Sequence, residues 1–218
     1  PGRFIDVAES SGQIVDIGRW VMSEACQQLL RWSQRAMFRD LVLSVNVSPK
    51  QYLQPNFVAE VKSLVEKTGI NPAKLKLELT ESMLVDNVED IIHKMTALKQ
   101  IGIHFSLDDF GTGYSSLSYL KRLPFDQLKI DQSFVRDMLH GSEEQSIVNA
   151  IIALGQSLRL EVLAEGVETA EQLQMLHTLG CQSFQGYYFT RPVPLSQFEQ
   201  LLIQFENKDH RRPQLKLV

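Results

Sequence analysis

The chain has 218 residues, 44% hydrophobic and 22% charged, which is the makeup of one well-cored globular domain. A net charge of −4 excludes the broad basic surface that polymeric DNA or RNA requires, so neither is an expected partner. No apolar run reaches the roughly 18 residues of a membrane span, and no signal-peptide pattern opens the chain.

Apolar residues Ile14, Ile17, Val21, Ala25, Leu29 and Trp32 recur every three or four positions and predict a first helix. LVLSVNVS (41–48) reads as a buried strand, and a helix follows from Asn56 to Lys67 with Gly69 as its stop. LKLELTES (75–82) is the second strand, and Val88, Ile91, Ile92, Met95 and Leu98 mark the next helix, closed by Gly102. IHFSLDDF (103–110) is the third strand, followed by a short helical stretch to Lys121. QLKID (127–131), RLEVLAEGV (159–167) and SFQGYYF (183–189) complete six strands. Helices through SIVNAIIALGQSL, over 169–179 and over 196–205 alternate with them, and 207–218 lacks a packing period and reads as a polar tail.

Strands alternating with helices predict an α/β fold of parallel β-α units. The chain opens on a helix with no strand before it, as a (β/α)₈ barrel lacking its first one or two strands would. An open doubly wound sheet is the competing fold, disfavoured because no strand-to-helix turn carries G-x-G-x-x-G. The opening PGRFID, without Met, suggests a piece of a longer protein. Cys26 and Cys181 are far apart in sequence and show no C-x-x-C spacing, so reduced, buried thiols of a cytoplasmic domain are expected rather than a disulfide.

Catalytic groups of a barrel lie at the C-terminal ends of its strands. Those ends carry Asn46, Glu78 with Glu81, Asp108-Asp109, Lys129 with Asp131, Glu165 and Gln185. A single charged residue at a strand end is usually solvated or caps a helix. Six strands out of six ending in a polar residue point to a site. Glu78, Asp108, Asp109 and Glu165 converging beside one lysine, Lys129, need further positive charge. An all-oxygen donor set with an amide and no histidine favours Mg²⁺ or Mn²⁺ over zinc. The adjacent aspartates suit two metals about 4 Å apart with one carboxylate bridging. Gly111 and Gly113 let the next loop turn sharply. The five histidines have no ligand spacing, and Asp109-Phe110-Gly111 matches the kinase D-F-G by chance, since no Gly-rich loop precedes it.

With these residues in place, the chain resembles the EAL-domain cyclic di-GMP phosphodiesterases. The matches are SVNVSPKQY (44–52), LELTES (77–82), DDFGTGYSSL (108–117), LPFDQLKID (123–131), AEGVET (164–169) and QGYYFTRP (185–192), and PGRFIDVAESSGQIVDIGRWV (1–21) is also similar. The resemblance covers 1–206, taken as the domain, and leaves 207–218 as the tail. It implies hydrolysis of cyclic di-GMP to linear pGpG with two Mg²⁺ or Mn²⁺ ions. It assigns Asn46, Glu78 and Asp108 to the first metal, and Asp108, Asp109 and Glu165 to the second. Lys129 would position or help deprotonate the attacking water, with Gln185 and Asp131 supporting the site. Glu81 would anchor the loop from Asp109 to Tyr114, which contributes to dimer contacts and regulation. A homodimer is implied, as are sensory or GGDEF domains elsewhere in a parent protein that membrane anchoring would also suit.

The E-A-L tripeptide and a nearby substrate-binding arginine do not occur among these residues, and Arg31-Trp32, at the end of the first helix, is no substitute. The expected consequence is one metal ligand fewer and slow or absent hydrolysis by this piece alone. A non-catalytic cyclic di-GMP receptor is the alternative, opposed by the presence of every motif from Asn46 to Gln185. A lyase using Lys129 as a Schiff base is a third reading, opposed because a lysine among carboxylates is a protonated cation.

Overall fold

A computed structural model describes residues 4–84, 88–112, 117–139 and 141–208. It resolves into two compact units, Pro1–Leu128 and Lys129–Val218.

The first unit opens with two helices, α1 (Ile5–Ser11) and α2 (Ile14–Ser33), separated at Gly12, whose φ of 80° suits a glycine stop. The predicted apolar stripe of α2 is present but rotated. Gly18 and Met22 are buried, whereas Ile17 and Val21 are only half-buried. Gly18 explains the rotation, because a Cβ there would lie 2.0 Å from Gln51 Oε1, a side chain that uses the space. Strand β1 (Leu43–Asn46) is shorter than the predicted 41–48. Ser48 then caps a one-turn helix, α3 (Pro49–Tyr52), by accepting from the Gln51 N–H, a turn too short to show a period in sequence. Helix α4 (Phe57–Thr68) ends at Gly69 as expected.

Strand β2 (Leu75–Thr80) stops two residues before the predicted end, and Glu81–Leu84 form a 3-10 turn. Helix α5 (Val88–Lys99), β3 (His104–Phe110), α6 (Leu117–Leu120) and β4 (Gln127–Ile130) follow. β1, β2 and β3 pair in parallel, with Asn46 opposite Glu78 and Thr80 opposite Asp108. Lys94 of α5, nearly buried, pairs with Asp90 at 2.9 Å and donates to the Tyr52 carbonyl at 3.0 Å. The buried Tyr52 hydroxyl donates to the Ile91 carbonyl at 3.2 Å, and burial raises its pKa. α5 thereby grips the turn that follows Asn46.

The division between units falls inside β4. The second unit continues with α7 (Gln132–Asp137), which sequence periodicity missed, and α8 (Ser142–Leu158), which starts four residues before the predicted SIVNAIIALGQSL segment. β5 (Glu161–Ala164) is the core of the predicted 159–167 strand, since Arg159 turns left-handed at φ 59° to end α8. Helix α9 (Ala170–Thr178) begins with a capping box formed by Thr169 and Gln172. The predicted strand over 183–189 is reduced to β6 (Ser183–Phe184), because the chain turns at Gly186 and leaves Tyr187 and Tyr188 exposed. Helix α10 (Leu195–Lys208) runs two residues into the predicted tail, and 209–218 lie outside the described residues.

Strand order follows chain order, β1 to β4 in the first unit and β4 to β6 in the second. A doubly wound sheet reverses its order at a switch point, so this succession is the barrel type. Cys26 and Cys181 are both buried and free, as expected. Burial pushes each thiol up to about 11.

Candidate active site

In the first unit the side-chain alternation of β2 puts Lys76, Glu78 and Thr80 on one face. Glu78 is 7% exposed, and Asp108, on the neighbouring β3, is 9% exposed. Asn46, at the end of β1, is exposed and opposite Glu78 in register. Two carboxylates and an amide thus come from three adjacent strands.

Asp109 has φ 54°, a left-handed conformation uncommon for a residue with a side chain. Its N–H donates to Asp108 Oδ1 at 3.1 Å, and the two side chains offer oxygens within 4.8 Å of one another. Gly111 follows at φ 101° and donates its N–H to Glu81 Oε2 at 3.0 Å. Glu81 is buried, and it belongs to the 3-10 turn rather than to the strand end where its sequence pattern put it. Gly113 and Tyr114 lie outside the described residues.

In the second unit Lys129 Nζ lies 2.7 Å from Glu165 Oε1, with the two side chains 4% and 17% exposed. Glu165 stands one residue past β5, and its N–H donates to the Ile130 carbonyl at 3.2 Å. Gly166 has φ 68°, and a Cβ there would come 2.5 Å from Gln132 Cβ. Gln185 stands one residue past β6. Its N–H donates to the Ala164 carbonyl at 2.8 Å, and its own carbonyl accepts from the Val167 N–H at 3.0 Å. A Cβ on Gly186 would lie 2.1 Å from the Val167 carbonyl, so the chain crosses backbone to backbone here. Asp131, expected at a strand end, instead caps α7. It accepts from the Ser133 N–H at 2.9 Å and from the Ser133 hydroxyl.

A buried polar layer escaped the sequence reading. Lys76, Ser106 and Gln127 are 7%, 0% and 1% exposed, and Gln127 Oε1 accepts from Lys76 Nζ at 3.1 Å and from Ser106 Oγ at 3.0 Å. The available signal was a polar residue two positions before Glu78, before Asp108 and before Lys129.

Parallel β-α units with carboxylates, an amide and a lysine at or just beyond strand ends define a barrel-type domain suited to oxygen-ligated metal chemistry. Residues 1–192 match the model of the EAL domain, and the chain belongs to that family. It is 43% identical over 197 residues to the bifunctional diguanylate cyclase/cyclic di-GMP phosphodiesterase MucR of Pseudomonas aeruginosa, covering 90% of this chain and 29% of that protein. It is 44% identical over 204 residues to the signaling protein YkoW of Bacillus subtilis, covering 94% and 25% of the two. A solved structure of the MucR phosphodiesterase in complex with c-di-GMP superposes with a TM-score of 0.87 at 42% identity, covering 91% of this chain and 80% of that one. The EAL enzyme Bd1971, in its cAMP and cyclic-di-GMP bound form, gives 0.87 at 35% identity, covering 93% and 55%. The fold is therefore the EAL TIM-barrel type. The chain spans less than a third of each of these curated relatives.

Proposed function

We propose that this chain is part of a metal-dependent phosphodiesterase that hydrolyses cyclic di-GMP to linear pGpG in bacterial second-messenger signalling. The observation that carries the reading is the run of family motif residues from Asn46 onward, Asn46, Glu78, Asp108, Asp109, Lys129, Glu165 and Gln185, within a chain that belongs to the EAL family. The donor chemistry fits a hard cation: Asn46, Glu78 and Asp108 offer only oxygen, and the two carboxylates are buried on adjacent strands. In this proposal Asn46, Glu78 and Asp108 hold a first Mg²⁺ or Mn²⁺, and Asp108, Asp109 and Glu165 hold a second. Bound metal would supply Lewis-acid stabilisation of charge at the scissile phosphate, which an acidic chain lacks.

The remaining roles belong to the protein. Lys129, held as an ammonium against Glu165, would orient the attacking water by donating to it. Gln185, fixed by two backbone hydrogen bonds, supports the substrate, while Glu81 holds the loop after Asp109 through Gly111. Asp131 acts by starting α7 immediately after Lys129 and Ile130. The free thiols suit a reducing cytoplasm. A homodimer and partner domains of the GGDEF or sensory kind complete the proposal, in keeping with the bifunctional name of MucR.

The test uses the full-length protein, because the E-A-L tripeptide is not among these 218 residues. Release of pGpG from cyclic di-GMP should require Mg²⁺ or Mn²⁺. Ca²⁺ should inhibit it, because the larger ion prefers six to eight ligands. Turnover that persists in excess EDTA would exclude the metal reading. Tight, metal-independent binding of cyclic di-GMP without turnover would favour a receptor.

A further inference from the structure

The buried layer of Lys76, Ser106 and Gln127 lies one side-chain step below Glu78 and Asp108. Strand residues two apart share a face and are about 7 Å apart. Lys76 precedes Glu78 by two on β2, and Ser106 precedes Asp108 by two on β3. Gln127 Oε1 joins them, accepting from both the ammonium and the hydroxyl. That double bond fixes the amide orientation, since only an oxygen serves both donors. A lysine 7% exposed is an uncommon choice for a strand interior, where an apolar side chain fills space without desolvating a charge.

We propose that Lys76 is a positioning residue, an internal counter-charge that stabilises Glu78 and Asp108 before metal binds and moderates their affinity for the metal. This rests on the metal-site reading above. The physical argument has two sides. With no divalent ion present, the two buried carboxylates repel each other, and a fixed cation one step below offsets part of that repulsion. Once a divalent ion binds, the same ammonium opposes it. Lys76 therefore narrows the gap in stability between the metal-free and metal-loaded protein and keeps metal exchange reversible. Gln127, itself held by the Ser106 hydroxyl, fixes the ammonium within this buried layer.

The experiment is a Mn²⁺ titration by calorimetry, with melting temperatures in EDTA and in saturating Mn²⁺, on the full-length protein carrying Lys76→Met or Lys76→Arg. Removing a nearby unit charge of the same sign should tighten Mn²⁺ binding, by about tenfold. Lys76→Met should melt lower than wild type in EDTA and close to it in Mn²⁺, and Lys76→Arg should follow wild type in both. Equal destabilisation in EDTA and Mn²⁺ with unchanged Mn²⁺ affinity overturns the proposal and leaves Lys76 a packing residue. If the methionine variant does not fold, Lys76→Gln, which keeps a donor for Gln127, is judged by the same two readouts. A wild type that binds no Mn²⁺ overturns the metal reading itself, an outcome distinct from an unchanged affinity in the variants.

Discussion

The carboxylates of the first unit and the carboxylate of the second are treated differently. Glu78 and Asp108 occupy neighbouring strands, with the buried cation Lys76 set one layer below and held by Gln127. Glu165 meets its cation directly, at 2.7 Å from Lys129. A direct pair is largely neutralised by its own partner, and removing either member leaves a buried charge behind. On the function proposed above, Glu78 and Asp108 offer oxygens from adjacent strands to a metal ion, while Glu165 has a metal and Lys129 to serve.

The largest expected effect comes from breaking the direct pair. Lys129→Ala in the full-length protein should lower kcat by roughly 10²-fold or more with KM nearly unchanged, as loss of a group that acts on the attacking water in the transition state does. Glu78→Gln should behave in the opposite sense, with activity recovering as Mn²⁺ is raised. Steady-state kinetics across a Mn²⁺ series separates the two. A Lys129→Ala enzyme rescued by metal alone would erase the contrast.

A second test concerns the scaffold of the paired region. Gly186→Ala places a methyl against the Val167 carbonyl, a backbone atom with little room to retreat, and should cost about 3 kcal/mol by denaturant midpoint. Gly12→Ala, where a Cβ would meet nothing within 4 Å, faces only the penalty of its left-handed backbone and should cost about 1 kcal/mol. Similar losses for both would mean that the close approach at Gly186 relaxes freely.

The smallest effect lies in the first unit, away from the ligand carboxylates. Burial alone would raise the Asp126 pKa, but hydrogen bonds from Lys99 and the Phe105 N–H, and the contact with His104, bring it below the usual carboxylate range. A carboxyl with a depressed folded pKa stabilises the protein above its unfolded value. That contribution disappears as pH falls through the folded value. Melting curves below pH 4 should therefore show an acid loss that is smaller in Asp126→Asn. The partly exposed setting limits this difference to about 1 kcal/mol.

Elements with a strong period were legible in the sequence. The stripe of α2, the β2 run LKLELT and the Gly69 stop needed only local chemistry. The strand ends were less legible. Glu81 and Asp131 looked like strand-end groups, yet one sits in a 3-10 turn and the other caps a helix, because turn hydrogen bonds compete with strand continuation at those residues. SFQGYYF has strong β propensity, but the backbone crossing at Gly186 ends the strand after Phe184. The Lys76–Gln127–Ser106 layer was hidden for another reason. Its members are 21 to 51 residues apart in sequence, and only strand pairing brings them together.

The left-handed backbone of Asp109 bears on how such a domain decays. Glycine would adopt φ 54° with less strain than aspartate, so this position sets fold stability against chemistry. In a lineage released from catalysis, replacement by glycine would be favoured by the backbone conformation. Asp109 would then be among the first ligand carboxylates to disappear, earlier than Glu78 or Asp108, whose regular strand geometry offers glycine no comparable gain.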